Sequence, residues 1–301
     1  MTRDKSKRSR VRTGASGKHH KAPESSPCHP APGKTWRSEL RPAGAGPSGQ
    51  NLARGKAPVF RRAASGVVVL YGFHAVREAL RGKKRKLLDI YATEAAARRL
   101  KDEIAGAGLC PHIVEAGDLA RRLGAGAVHQ GVMLEALPLE PLDLLDIVSR
   151  SGIVLVLDQV TDPHNAGAIL RTAAAFGVDA VVVTHRHAPE MAGVVAKAAS
   201  GGVEHVAIVG VVNLARALER LGGSGYLRLG LDSEAELSLA TVSLRRPIAL
   251  VLGGEGKGLR RLSREKCDLI VRLDMPGAIK SLNVSNACAV ALTLLHAVSA
   301  G

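Results

Sequence analysis

The sequence predicts an α/β fold in two folded parts, a layered domain on a parallel sheet preceded by a smaller αβ unit, with a disordered basic tail at the amino end. Three observations lead there. Short, β-branched, unalternating apolar runs recur through residues 152–301 with helical stretches between most of them, the pattern of parallel strands covered on both faces. A second, shorter series of strand-like and helix-like segments occupies residues 66–138. Residues 1–62 hold 15 Lys/Arg against three acids, whereas the rest of the 301-residue chain is almost balanced, 27 against 24.

The tail, residues 1–65, carries Pro23, Pro27, Pro30, Pro32, Pro42, Pro47 and Pro58 among many Gly and Ser, with no sustained apolar period. Such a segment cannot bury enough surface to offset its chain entropy. A flexible cationic arm gains affinity for polyphosphate by releasing condensed counterions, which predicts sequence-blind, salt-sensitive attraction to RNA. The plain alternative is a solvated tail that aids solubility. A transit peptide is a third reading, weakened by the lack of a clear amphipathic Arg-rich helix. No apolar run approaches the roughly 18–20 residues that span a bilayer, and no signal-peptide core follows the basic start. The expectation is a soluble, cytoplasmic protein without a membrane partner. Cys28, Cys110, Cys267 and Cys288 lack the spacing of a disulfide frame or zinc site, so reduced thiols are expected, with Cys110 and Cys288 in the core.

In the smaller unit, Val67–Leu70 reads as a strand and Gly72–Leu80 as a helix with Val76, Ala79 and Leu80 at helical spacing, stopped by Gly82. Leu87–Tyr91 reads as a strand and Ala95–Ala105 as one helix. Ile113–Val114 and Val132–Leu137 flank a short helix near Asp118–Leu123. Residues 139–151, with two prolines just before and within an acidic-apolar stretch, read as a linker carrying a short helix. Strands follow at Ile153–Leu157, Ala180–Val183, Val206–Val209, Ala249–Leu252 and Leu269–Leu273. Helices are expected over Asn165–Phe176, over Leu214–Leu221 capped by Asn213, and from a Ser285 cap to about Ser299.

Three segments each lie just beyond a predicted strand, where parallel sheets bind ligands. In LDQVTDPHNAGAILRTAAAFGV, residues 157–178, Asn165 sits at the helix start, where it can satisfy free amides, and Arg171 stands off the Ile169/Ala173 apolar stripe, suited to gripping a phosphate with its planar fork. The plain alternative is a surface ion pair. In ALVLGGEGKGLRRL, residues 249–262, glycines let backbone approach a ligand closely, and Glu255 among them suggests a positioned carboxylate. This is no P-loop, because Gly258 replaces the Ser/Thr that holds magnesium, and no dinucleotide fingerprint by spacing. In RLDMPGAIKSLNVSNACAVAL, residues 272–292, Ser281, Asn283, Ser285 and Asn286 offer more polar groups than one helix cap needs. Hydrolase elbows and zinc-protease motifs are absent, and no metal site is expected.

Together these three segments resemble the signature motifs of the SpoU branch of the SPOUT RNA methyltransferases, over residues 152–301. Residues 66–138, beginning near YGFHAVREAL, resemble the small ribosomal-protein-L30-like RNA-binding domain of that branch. The two-domain form is most similar to the 23S rRNA guanosine-2′-O-methyltransferases. The resemblance implies a trefoil-knotted catalytic domain, an exception to the rule against knots. It also implies a homodimer acting on ribosomal RNA, with S-adenosylmethionine as methyl donor. It places the donor against Gly253, Leu273 and Leu282. The family's catalytic positions fall on Asn165, Arg171, Glu255, Ser281 and Asn283. One departure is Asp274, where the family has Pro before Met275.

The resemblance suggests Arg171 as the base. Because Arg stays protonated, the reading adopted is that it grips the phosphate beside the target ribose and lowers the hydroxyl's pKa, the proton going to Arg171 or to water. Asn165, Ser281 and Asn283 would orient nucleophile and donor, and Glu255 would hold Arg171 or the loop. Rival readings are a transfer-RNA guanosine 2′-O-methyltransferase, an RNA-binding protein without catalysis and, remotely, a nucleotide-binding oxidoreductase.

Overall fold

The computed structural model describes residues 66–124, 126–140, 142–148, 150, 152–184, 199–256 and 258–299; the expected tail lies outside them. The smaller unit runs β1 (Val68–Tyr71), α1 (Phe73–Gly82), β2 (Leu87–Ala92), α2 (Glu94–Arg99), α3 (Lys101–Gly106), β3 (His112–Ile113), α4 (Ala116–Leu123) and β4 (Val132–Ala136). Its sheet has the order β1-β4-β2-β3, with β4 antiparallel to β1 and β2. Leu70, Val76, Leu80, Ile90, Leu100 and Leu134 fill one face, and Tyr91, Leu119 and Met133 the other.

The single helix expected over Ala95–Ala105 is two, broken at Leu100 (φ −107°, ψ 14°). Ala96, Leu100 and Ile104 are all buried in one cluster. Steps of four residues drift around a straight helix by about 40° each, and the break lets all three meet the same core. Cys110, expected in the core, is exposed just beyond α3 and is disulfide-bonded, so the reduced-thiol expectation fails there; Cys267 and Cys288 are free, and Cys288 is buried as expected.

Among its described residues the larger unit has seven strands: β5 (Ile153–Asp158), β6 (Ala180–Thr184), β7 (Ala207–Val211), β8 (Leu227–Leu231), β9 (Leu237–Ser238), β10 (Ile248–Gly253) and β11 (Leu269–Arg272). All pair in parallel, in the order β7-β6-β5-β10-β8-β11-β9. Among the described residues its helices are α5 (Pro163–Ala175), α6 (Leu214–Gly223), α7 (Arg261–Glu265) and α8 (Val284–Ser299). On one face Ile153, Leu155 and Leu157 meet Ile169 and Leu170 of α5 and Leu292 and Leu295 of α8. On the other, Val154 and Val156 meet Leu214, Leu218 and Leu221 of α6. Both faces of β5 are therefore buried, which is why its run is apolar without alternation. Within the segment expected as a linker, Leu144–Asp146 forms a 3₁₀ turn, and Leu144 and Ile147 pack into this second face.

β8 and β9 were not expected from the sequence. In LRLGL the apolar signal is diluted by Arg228 and Gly230, and both residues are required by tertiary neighbours. Arg228 pairs with Asp268 at 2.6 Å, and a side chain at Gly230 would strike Ile270 and Leu259. β9 is only two residues long.

Candidate active site

From β5 the chain builds outward through β6 and β7, then crosses to fill the other side of the sheet. The reversal falls between β5 and β10, and the crevice beyond their carboxyl ends is where such sheets take ligands. Asp158 closes β5 fully buried; its carboxylate accepts from Arg260 N at 3.0 Å and Arg260 Nε at 2.5 Å, and its carbonyl accepts from Gly254 N at 2.8 Å. One buried acid thus ties the loop after β10 to the end of β5. Sequence reasoning passed over Asp158, although an acid ending an otherwise apolar strand was a readable signal.

The loop itself is shaped by its glycines. A Cβ at Gly254 would stand 2.4 Å from the Gln159 carbonyl oxygen, and one at Gly253 would stand 2.2 Å from the Gly258 carbonyl carbon. Gly256 and Gly258 adopt positive φ with open space where a side chain would project, so backbone conformation rather than crowding calls for glycine there.

α5 begins at Pro163, and its cap is Asp162, whose Oδ1 accepts from Asn165 N at 2.8 Å. Asn165 was expected to satisfy these amides itself. Because Asp162 takes that role, the Asn165 side chain is released toward the crevice, donating Nδ2 to Glu255 Oε1 at 2.9 Å. Asn283 Nδ2 donates to the same oxygen at 2.6 Å and to Asn165 Oδ1 at 2.9 Å. Asn283 also starts α8: its Oδ1 accepts from Ser285 N at 2.9 Å and from Ser285 Oγ at 2.6 Å. The cap is therefore Asn283 rather than the expected Ser285. Three residues from three separate segments close into one hydrogen-bonded cluster.

Beside it lies a cavity of about 650 Å³, lined by Gly253, Glu255, Leu273, Ser281, Leu282 and Asn283 among others. Arg171 is exposed on α5, with no hydrogen bond or ion pair among the described residues. Glu255 thus holds the two amides, which leaves the guanidinium open to an anion. The sequence analysis missed one wall, Leu231 to Glu234, because it missed β8; the alternation Leu227, Leu229, Leu231 was the available signal. Asp274 hydrogen-bonds Ser238 and lies 3.4 Å from Arg272, so the acid ties the loop after β11 to β9. Among the described residues no cluster of His, Cys, Asp or Glu is placed to hold a metal, and no helix is long and apolar enough to cross a membrane.

A parallel α/β domain with a glycine-walled cavity beyond the carboxyl ends of β8, β10 and β11, carrying a smaller αβ unit, defines the class. Residues 152–293 match the SpoU rRNA methylase family, and residues 69–142 match the RNA 2′-O-ribose methyltransferase substrate-binding family. Curated relatives include the 23S rRNA (guanosine-2′-O-)-methyltransferase RlmB of Pseudomonas putida, 40% identical over 74% of this chain and 93% of its own length, and that of Ralstonia nicotianae, 42% identical over the same shares. The fold is that of the SpoU methyltransferase AviRb from Streptomyces viridochromogenes, solved in complex with AdoMet, with a TM-score of 0.65 at 21% identity over 78% of this chain and 90% of that one. An AdoMet-bound rRNA methyltransferase from Sinorhizobium meliloti aligns with a TM-score of 0.66 at 19% identity over 77% and 87%. The chain belongs to the SpoU rRNA methylase family.

Proposed function

We propose that this chain methylates the 2′-hydroxyl of a guanosine ribose in 23S ribosomal RNA, using S-adenosylmethionine. The observation that carries the reading is the Asn165–Glu255–Asn283 cluster at the edge of a donor-sized cavity, with Arg171, which has no ion pair among the described residues, on the same α5 helix as Asn165.

The cavity's residues suit the donor. Leu231, Leu252, Leu273 and Leu282 offer apolar walls for a purine, and Glu234 and Glu255 offer negative charge near a sulfonium and an ammonium. Exposed backbone at Gly256 can hydrogen-bond a ligand's edge. When bound, S-adenosylmethionine supplies an electrophilic methyl group on a positively charged sulfur. Arg171 grips the phosphate next to the target ribose, and its permanent charge lowers the hydroxyl's pKa. The hydroxyl proton would pass to water beside Arg171, leaving the ribose oxygen to take the methyl group the donor would supply. Asn165 and Asn283, locked by Glu255, and Ser281 orient the oxygen in line with that bond, and orientation supplies much of the rate.

The smaller unit, residues 66–138, binds the RNA, and residues 139–151 join it to the catalytic domain, 152–301. The basic tail, residues 1–65, adds electrostatic affinity. The enzyme works as a cytoplasmic homodimer with its carboxyl-terminal segment threaded as a trefoil knot.

The test is transfer of labelled methyl to purified 23S rRNA and to transfer RNA, with the product mapped by nuclease digestion and mass spectrometry. A single 2′-O-methylguanosine in 23S rRNA is expected; transfer only to transfer RNA, or none, overturns the reading. Arg171→Ala should lower the rate at least 100-fold while S-adenosylmethionine binding by calorimetry stays within about threefold.

A further inference from the structure

The 3₁₀ turn Gly202–Glu204 lies between the two folded units, and neither the cluster nor the cavity uses it. On one side it meets α1 of the smaller unit. Glu204 is 2% exposed and accepts a two-pronged pair from Arg85, at 2.6 Å from one nitrogen and 3.2 Å from Nε, with both side chains only 3% exposed. His205 Nε2 lies 3.0 Å from Glu78 Oε2. Gly201 (φ +89°) presses on α1 so closely that a Cβ would stand 2.5 Å from the Glu78 Cβ. On the other side the turn packs along α5. A Cβ on Gly202 would stand 2.8 Å from the Leu170 carbonyl oxygen and 3.1 Å from the Arg171 Cα.

A buried ion pair adds little net stability, because desolvating both charges offsets their attraction, but a forked Arg–carboxylate pair tolerates only one geometry. Here that geometry fixes α1 against a turn that abuts the Arg171 backbone. We propose that Arg85 and Glu204 are positioning residues: they set the register between the RNA-binding unit and α5, so that RNA held by the first presents its phosphate to Arg171. The pair acts through the turn and touches neither RNA nor donor.

The inference rests on the methyl-transfer reading, so the experiment carries one readout that does not depend on turnover. In the full chain, Arg85→Met with Glu204→Leu replaces the pair by apolar groups of similar size, and Glu204→Gln serves as a milder, isosteric second variant. Amide hydrogen exchange across residues 166–175 should quicken at least tenfold in the double variant and about threefold in Glu204→Gln. Single-turnover methylation at saturating RNA and S-adenosylmethionine should fall at least tenfold in the double variant, with dissociation constants for both within threefold of the parent. Unchanged exchange in both variants overturns the proposal whether or not the parent methylates RNA, and so does a single-turnover rate within twofold of the parent. A parent chain inactive on every RNA would instead overturn the functional reading, and exchange would still decide the register.

Discussion

One oxygen atom, Glu255 Oε1, accepts from two amides whose residues lie 90 and 28 positions away in sequence. Glu255→Ala should therefore free both Asn165 and Asn283. Since Glu255 is exposed, stability should change by less than about 1 kcal/mol, while the single-turnover rate falls roughly 10- to 100-fold; a melting curve and a quenched assay read the two separately. Asn283 carries a second duty as the cap of α8, so Asn283→Ala should also cost about 1 kcal/mol of stability, lowering Tm by roughly 2–4 °C. Ser285→Ala should cost much less in the same melt, the reverse of what a Ser285 cap would give. Two thiols make a quieter check. Burial pushes Cys267 and Cys288 up to about 12, so neither should react with iodoacetamide at pH 8 until the chain is denatured.

At the scale of elements, the loop between β10 and α7 depends on the absence of a side chain at Gly254. Gly254→Ala must push the loop off the Gln159 carbonyl, and S-adenosylmethionine affinity should drop at least tenfold by calorimetry, with the fold retained by circular dichroism. The Arg228–Asp268 pair joins β8 to the chain entering β11. Its hydrogen bonds hold the Asp268 carboxyl below the usual carboxylate range, despite some burial. A depressed acid stabilises the fold above its unfolded pKa, near 4, and that contribution is lost as pH falls through the lower folded value. Asp268→Asn should therefore flatten the acid limb of a stability-versus-pH curve below about pH 4 while leaving its shape at neutral pH, an effect kept small by the pair's partial exposure. These elements also mark where local reading failed. The strand signal of β8 was hidden because Arg228 and Gly230 answer to neighbours far along the chain, and the break at Leu100 follows from burial rather than propensity.

Across the whole molecule, two sheets share one chain, and attraction of the basic amino-terminal arm to RNA should be separable from catalysis. Deleting residues 1–62 should weaken RNA binding and reduce the slope of log affinity against log salt, while S-adenosylmethionine binding is unchanged; an equal slope would reduce the arm to a spacer. Asn165, Arg171, Glu255, Ser281 and Asn283 were all legible as candidates, because polar residues stood where apolar strands ended. So was the parallel sheet, because burial on both faces of β5 and β10 writes itself as continuous apolar sequence. The partners of those candidates were not legible. That Asp158 anchors the glycine loop and that Asn283 meets Asn165 are outcomes of strand order, since hydrogen bonds between residues about 100 positions apart exist only once β5 and β10 lie side by side. Local chemistry and apolar patterning are properties of short stretches of chain, and the amino acids determine them alone. Which stretches meet depends on a packing choice made by the whole molecule, and only the tertiary structure decides it.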